Sequence, residues 1–244
     1  MSAATATTEV IAAHGWAGDS RAWAPWAALA NARGWSLRCF ERGYGQLPQA
    51  LPHWDPASSR RIVIAHSLGP HLLPEVTWRE ATAAVLLTSF AAFVPPGRDG
   101  RPVAASLRGM AAQLEAGEEA TAAMLRQFFV KVADPFPASL LPEGPLEQGI
   151  PAEGKQRLLH DLQLLSRCSS LPAGFPPQIP VLLVEARDDR IVSEASRAGL
   201  RQVLPQATVW SLEPAGHGLL GGEGPNGGQN LLDAVLEWMA DVPP

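Results

Sequence analysis

The chain has 244 residues, of which 46% are hydrophobic and 18% are charged, the composition of one globular domain with a substantial core. Its formal net charge of -5 argues against a nucleic acid or an anionic membrane surface as the partner, since both favour a basic protein surface. Two cysteines, Cys39 and Cys168, are too few for a disulfide framework. The sequence has neither a signal-peptide start nor an apolar run long enough to span a bilayer, so we expect a cytoplasmic protein.

The first third of the chain alternates short apolar strands with helices. The pattern predicts strands over residues 9–13, 35–40, 61–66 and 83–88, and helices over residues 21–33 and 68–79. Asp19 or Ser20 is a candidate cap for the first helix. The first strand ends in a glycine-rich turn at residues 14–18, which suits a loop whose backbone approaches another group closely. Alternating strands and helices indicate a parallel sheet covered on both faces.

The alternation stops near residue 91 and returns at residue 179. Between these positions the sequence predicts helices near residues 106–116, 120–132 and 155–166, separated by segments rich in Pro and Gly. Further on it predicts strands over residues 179–186 and 207–212 and helices over residues 194–203 and 229–239. We therefore expect a core made of residues 1–90 and 179–244, and an inserted helical cap, residues 91–178, that lies over the opening of the active site.

Residues 61–69 form an apolar strand that runs straight into a Ser flanked by small residues. This arrangement is typical of a nucleophile elbow, in which strained backbone angles at Ser67 project its hydroxyl group clear of the sheet. Ala65 and Gly69 are small enough to let the strand and the following helix cross. Pro70 fits the first helical turn, because an amide there has no intrahelical partner. The alternative is a Ser at an ordinary strand-to-helix turn, which this short motif alone does not exclude.

A nucleophilic Ser needs a base to accept its proton and an acid to orient that base. The chain offers candidates in the order nucleophile, acid, base, each at the end of a predicted strand: Ser67, Asp188 or Asp189, and His217. The backbone amides of Trp16 and Leu68 are the candidate oxyanion hole. A carboxylate dyad or metal pair at residues 188–189 is the alternative, but no second cluster of ligands accompanies it.

Five sequence blocks resemble those of the α/β-hydrolase superfamily, in the same order and over nearly the whole chain. They are residues 14–16 (His-Gly-Trp), 43–45 (Gly-Tyr-Gly), 65–69 (Ala-His-Ser-Leu-Gly), 189–192 (Asp-Arg-Ile-Val) and 216–217 (Gly-His). The resemblance implies an α/β-hydrolase fold with a mostly parallel central sheet, and it selects Asp189, three residues before Val192, as the catalytic acid. Two positions depart from the family pattern, since Ala65 replaces Gly and Phe40 stands where many members have Asp. The second departure leaves open how the loop at residues 41–50 is held.

Within the superfamily, residues 14–16, residues 66–69 and the compact cap are most similar to the pimeloyl-acyl carrier protein methyl ester esterases of biotin synthesis. The resemblance implies a serine carboxylesterase that acts on a methyl ester held on an acyl carrier protein. The mechanism requires no metal or organic cofactor. We expect the substrate to contact residues from the first loop, the elbow and the cap: Trp16, His66, Phe128 and Phe129.

Other activities are compatible with the same three side chains. The alternatives are a small-molecule esterase, a thioesterase or a carbon-carbon bond hydrolase of the same fold, and a non-catalytic protein that uses the pocket as a receptor. Haloalkane dehalogenation is disfavoured, because that chemistry needs Asp at the elbow, where this chain has Ser67. Among the remaining histidines, we expect His14 to hold its own loop through hydrogen bonds.

Overall fold

The structure, a computed structural model, describes residues 7–224 and 227–243. Six strands form its centre: β1 Thr8–Ala13, β2 Ser36–Phe40, β3 Arg60–His66, β4 Ala83–Leu87, β5 Val181–Ala186 and β6 Thr208–Leu212. They lie in the order β2-β1-β3-β4-β5-β6, and every neighbouring pair is parallel, which confirms the predicted α/β class. The strand order reverses between β1 and β3, and ligands of such sheets bind at the carboxyl ends of the strands beside the reversal. The loops after β1 and β3 therefore frame the expected site.

Both faces of the sheet are covered by helices, which explains why the central strands are continuously apolar. Successive side chains of a strand point to opposite faces, so Val10 and Ile62 lie in one apolar cluster and Ile11 and Val63 in the other. The first cluster also contains side chains of α1 (Ala24–Ala32) and α9 (Leu231–Asp241). The second contains side chains of α3 (Glu75–Arg79) and α8 (Glu194–Val203).

The predicted single helix over residues 68–79 is wrong. The chain forms α2 (Gly69–Leu72) and α3 instead, separated by Leu73 and Pro74. The α conformation is disfavoured for a residue that precedes proline, and Leu73 is accordingly extended, with a ψ of 143°. The other helix predictions hold with shifts of at most three residues, except that the helix predicted near residues 106–116 begins six residues earlier, at Gly100. A 3-10 turn, Ser20–Trp23, is capped by the carboxylate of Asp19 and leads into α1.

The chain between β4 and β5 forms α4 (Gly100–Ala116), α5 (Glu118–Ala133), α6 (Pro145–Gln148) and α7 (Ala152–Arg167), with a 3-10 turn at Ala138–Leu140. Buried leucines of α4, α5 and α7 share one apolar cluster with Trp16, Leu68 and Phe90, which follow β1, β3 and β4. The insertion thus lies on the carboxyl edge of the sheet. Its division from the core at residues 91 and 178 stays a prediction. Within the described ranges no helix is both long and apolar enough to cross a membrane.

Glu41 holds the loop after β2, where Phe40 departs from the family pattern. Its carboxylate accepts hydrogen bonds from the amides of Ser20 and Gly43, each at 2.8 Å, and lies 3.6 Å from Nε2 of His14. Burial alone raises the pKa of the Glu41 carboxyl group, but the His14 contact and the two amides outweigh it and lower this pKa to about 2. The residue next to Phe40 therefore supplies the anion that fixes this loop.

A buried ion pair joins the same loop to the inserted helices. The guanidinium group of Arg42 donates from Nε and Nη2 to the carboxylate of Asp161 on α7, at 2.7 and 2.8 Å. The hydroxyl group of Tyr44 donates to the same carboxylate at 2.7 Å, and the Asp161 side chain is fully buried. Arg157, one helical turn earlier on α7, donates to the carbonyl oxygen of Gly43 at 2.7 Å. These contacts fix α7 against the carboxyl edge of the sheet.

Candidate active site

Ser67 lies at the tight turn between β3 and α2. Its φ of 56° is in the left-handed region, which non-glycine residues rarely adopt, and its amide donates to the carbonyl oxygen of Leu87 at 2.9 Å. A Cβ atom on Gly69 would lie 2.5 Å from the carbonyl oxygen of Ala13, so only glycine fits where the helix passes β1. Ala65 is accommodated in the apolar cluster on one face of the sheet. The local geometry is that of a nucleophile elbow.

The structure brings Ser67, His217 and Asp189 together in one hydrogen-bonded chain. Oγ of Ser67 lies 3.0 Å from Nε2 of His217, and Nδ1 of His217 lies 2.9 Å from Oδ2 of Asp189. Because a carboxylate only accepts, the proton of the neutral imidazole is on Nδ1, and Nε2 is free to accept the Ser67 hydroxyl proton. Asp188 takes no part in this chain, and its backbone amide donates to the carbonyl oxygen of Ala215.

The environment of Asp189 keeps its carboxyl group ionised. The side chain is fully buried, and Oδ1 accepts the amides of Ile191 and Val192 at 2.7 and 2.9 Å. Burial raises the pKa of this carboxyl group, but His217 and the two amides outweigh it, so the pKa lies below its ordinary value. A carboxylate held in this way orients the imidazole and stabilises its protonated form.

The His217 loop packs tightly against the end of α5. A Cβ atom on Gly216 would lie 1.7 Å from the carbonyl oxygen of Asp134, so no other residue fits there. On the other side of the histidine, the amide of Gly218 donates to the carbonyl oxygen of Val132 at 2.8 Å. The main chain of His217 is thus held from both sides by the inserted helices.

Leu68 follows Ser67 directly, and the loop before Trp16 packs against Ser67, since a Cβ atom on Gly15 would lie 2.9 Å from Cβ of Ser67. The backbone amides of Trp16 and Leu68 donate to no protein acceptor within residues 7–224 and 227–243. The indole nitrogen of Trp16 donates to the carbonyl oxygen of Leu158 on α7 at 2.9 Å, which fixes this residue in its loop. As expected, His14 also holds the loop: its Nδ1 donates to the carbonyl oxygen of Gly15 at 2.9 Å, and its Nε2 accepts the amide of Arg42 at 3.1 Å. Two uncommitted amides beside a Ser hydroxyl group can bind an oxygen that carries developing negative charge.

A cavity of about 300 Å³ opens at Ser67 between the sheet and the inserted helices. Two predicted contact residues, Trp16 and Phe128, line it, and their rings meet edge to face with centroids 5.0 Å apart. His66 and Phe129 do not line it. The imidazole of His66 turns to the carbonyl oxygen of His217, at 2.9 Å, and Phe129 packs against Phe128 with centroids 5.4 Å apart.

Two charged side chains at this cavity, Lys131 and Arg190, were not singled out from the sequence. Lys131 continues the face of α5 that also presents Met124 and Phe128, seven and three positions earlier, to the cavity. This helical spacing, with Lys131 one turn beyond Phe128, was the available sequence signal. Arg190 follows the proposed acid directly and pairs with Asp134, at 3.0 Å. Among the residues that the structure describes, the charged side chains that line the cavity are thus both cationic.

No family profile matches the sequence, and no curated protein matches it. Solved structures do resemble it. An esterase from Exiguobacterium antarcticum superposes with a TM-score of 0.69 at 13% identity, covering 97% of this chain and 93% of that one. An enol-lactonase from Burkholderia xenovorans gives a TM-score of 0.66 at 12% identity, covering 96% and 92%. A bromoperoxidase from Bacillus anthracis gives 0.67 at 16% identity, covering 96% and 92%. The chain has the α/β-hydrolase fold, a fold that supports several reactions.

Proposed function

We propose that the protein is a serine hydrolase that cleaves carboxylic esters, with Ser67 as nucleophile, His217 as general base and Asp189 as the acid that orients it. The observation that carries this proposal is the chain of hydrogen bonds from Ser67 Oγ to His217 Nε2, at 3.0 Å, and from His217 Nδ1 to Asp189 Oδ2, at 2.9 Å. The esterases and the enol-lactonase among the similar structures share this fold, which supports the reaction class by analogy.

In the first half of the reaction, Nε2 of His217 accepts the hydroxyl proton while Ser67 Oγ attacks the carbonyl carbon of the ester. The carbonyl oxygen becomes an oxyanion, which the amides of Trp16 and Leu68 stabilise. Loss of one such donor typically lowers turnover by about 10²- to 10³-fold. The imidazolium of His217 then protonates the leaving alcohol, and an acyl-enzyme on Ser67 remains.

In the second half, His217 takes a proton from water, and the resulting hydroxide attacks the acyl carbon in the same oxyanion site. His217 returns the proton to Oγ of Ser67, and the carboxylic acid leaves. Asp189 stays ionised throughout and keeps the imidazole in the tautomer that reacts. The contact with His217 and the two backbone amides, which together lower its pKa, support this role.

Within this class we favour the methyl ester of a pimeloyl group carried by an acyl carrier protein. The resemblance of residues 14–16 and 66–69 supports this substrate, and so do the apolar walls of the cavity. Acyl carrier proteins are acidic, so a carrier needs cations near the opening. Lys131 supplies one, and Arg190 is a second whose charge the paired carboxylate of Asp134 partly offsets. The predicted cap as a whole is not basic, with eight Lys and Arg against nine Asp and Glu over residues 91–178. Docking would therefore depend on such a local group of cations.

The experiment compares three substrates: pimeloyl-acyl carrier protein methyl ester, the same ester without its carrier, and a short p-nitrophenyl ester. Wild type is measured beside Ser67→Ala, which removes only the nucleophilic oxygen. Cleavage that is fastest on the carrier-bound ester and lost in Ser67→Ala supports the whole proposal. Cleavage of only the free esters would support the serine mechanism and contradict the proposal that the substrate is bound to a carrier protein. Binding of the esters without turnover by wild type contradicts the proposed enzyme and favours a receptor.

A further inference from the structure

The main-chain carbonyl group of His217 accepts two side-chain hydrogen bonds. Nε2 of His66 donates to this oxygen at 2.9 Å, and Oγ1 of Thr88 donates to it at 3.0 Å. Thr88 is fully buried, and neither donor lines the cavity at Ser67. We propose that Thr88 and His66 are positioning residues that fix the general base through its backbone. This inference rests on the proposed esterase function and adds two residues to its machinery.

The backbone of Thr88 supports this role. Its φ of 43° lies in the left-handed region, which is a genuine outlier for a β-branched residue. Strain of this kind persists only where surrounding contacts enforce it, and it clusters at functional sites. Here the amide of Thr88 donates to the carbonyl oxygen of Val184 on β5 at 2.8 Å, which holds the backbone of this residue against the sheet. The strained turn directs the hydroxyl group to the carbonyl oxygen of His217.

The hydrogen bond from His66 defines its protonation. Because a carbonyl oxygen only accepts, the proton of neutral His66 is on Nε2. The rings of His66 and His217 lie 4.9 Å apart, so a second proton on His66 would oppose the positive charge that His217 acquires during the reaction. Burial and the neighbouring His217 both lower the pKa of His66. His66 therefore acts as a neutral donor to the backbone.

The end of β4 holds the nucleophile as well as the base. Ser89, the residue after Thr88, donates its hydroxyl hydrogen to the carbonyl oxygen of Ser67 at 2.7 Å. Two successive residues thus fix the backbones of Ser67 and His217, whose side chains meet at 3.0 Å. Reacting groups must keep this geometry, and a displacement of about 1 Å can cost on the order of 10²-fold in rate. Loss of a backbone support is therefore expected to lower turnover and to leave substrate binding unchanged.

The test measures kcat and KM for a p-nitrophenyl ester with three variants. Thr88→Val keeps the shape of the side chain and removes the donor, whereas Thr88→Ser keeps the donor. Thr121→Val is the matched control, because Thr121 is also buried and donates to a carbonyl oxygen, that of Gly117 at 2.8 Å, away from Ser67 and His217. We expect Thr88→Val to lower kcat about 10-fold at unchanged KM. Thr88→Ser should restore most of this loss, and Thr121→Val should lower only the unfolding midpoint.

His66→Phe tests the positioning role independently, because it keeps an aromatic ring and removes the hydrogen-bond donor. A positioning role predicts the same fall in kcat at unchanged KM, whereas a substrate-contact role predicts a rise in KM. Wild-type kcat in both Thr88→Val and His66→Phe overturns the inference while the esterase activity stands. An inactive wild type contradicts the proposed function instead. If Thr88→Val does not fold, as judged by circular dichroism, the kcat and KM of His66→Phe alone test the inference.

Discussion

The ion pair between Arg42 and Asp161 should stabilise the protein far more than an exposed ion pair of the same chemistry. The Asp161 side chain is fully buried, the Arg42 side chain is 21% exposed, and the two N–O distances are 2.7 and 2.8 Å. Two unit charges about 4 Å apart interact by about 4 kcal/mol at an effective dielectric constant of about 20. Removal of one partner leaves the other charge poorly solvated, which typically costs about 3–5 kcal/mol. We therefore expect a coupling free energy of about 2–4 kcal/mol between the two side chains.

A double-mutant cycle measures this coupling from the free energy of unfolding in urea. The variants are Arg42→Gln, Asp161→Asn and the double variant. The matched control is the cycle for Glu75 and Arg79, an i,i+4 pair on α3 whose side chains are 49% and 69% exposed. Such exposed pairs contribute about 0.5 kcal/mol or less. Equal coupling in the two cycles would refute the reasoning that burial of the Asp161 carboxylate sets the strength of the pair.

Three further predictions concern other buried groups. Glu41 has a folded-state pKa of about 2, below its ordinary 4.5, so its ionised form stabilises the fold fully above pH 4.5. Glu41→Gln should therefore lower the urea midpoint at pH 7. The difference in midpoint between this variant and wild type should shrink as the pH falls from 4.5 to 2. An unchanged difference at pH 2 would contradict this linkage. Cys39 and Cys168 are half-buried, and this partial burial raises the pKa of both thiols to about 11. Iodoacetamide at pH 8 should therefore modify the folded protein much more slowly than the urea-unfolded chain, and equal rates would contradict partial burial of the thiols. Trp78 is fully buried and donates to the carbonyl oxygen of Pro70 at 3.0 Å, so Trp78→Ala should cost about 3–5 kcal/mol of unfolding free energy. Val130 is exposed, so Val130→Ala should change the free energy of unfolding by less than about 0.5 kcal/mol. Similar losses in Trp78→Ala and Val130→Ala would contradict the prediction that burial of Trp78 stabilises the fold.

The sheet, its parallel character and the positions of Ser67, Asp189 and His217 could all be predicted from the sequence. Each of these residues lies one to five positions after the end of a strand, and the carboxyl ends of parallel strands lie at one edge of a sheet. Local signals are sufficient for such features. The break between α2 and α3 also has a local signal, since Pro74 restricts the backbone of Leu73.

Side-chain directions and long-range pairs could not be predicted in the same way. His66 and Phe129 were expected to contact substrate. In the structure His66 binds the backbone of His217, and Phe129 packs against Phe128 and does not line the cavity. Asp161 occupies a polar position on an amphipathic helix, and nothing local distinguishes it from a solvated residue. Its partners Arg42 and Tyr44 are 119 and 117 positions away in the chain. Only the folded structure shows that this carboxylate is buried.

The most direct test of the proposed serine mechanism is the reaction of the folded protein with a fluorophosphonate, followed by mass spectrometry of the intact chain and its peptides. The geometry of Ser67 and His217 predicts one phosphonyl group per chain, attached to Oγ of Ser67. Ser67→Ala should abolish the adduct, and His217→Ala should slow its formation by at least about 10³-fold, because Oγ then lacks its base. No adduct on the wild type, an adduct at another residue, or an equal rate in His217→Ala would contradict the mechanism.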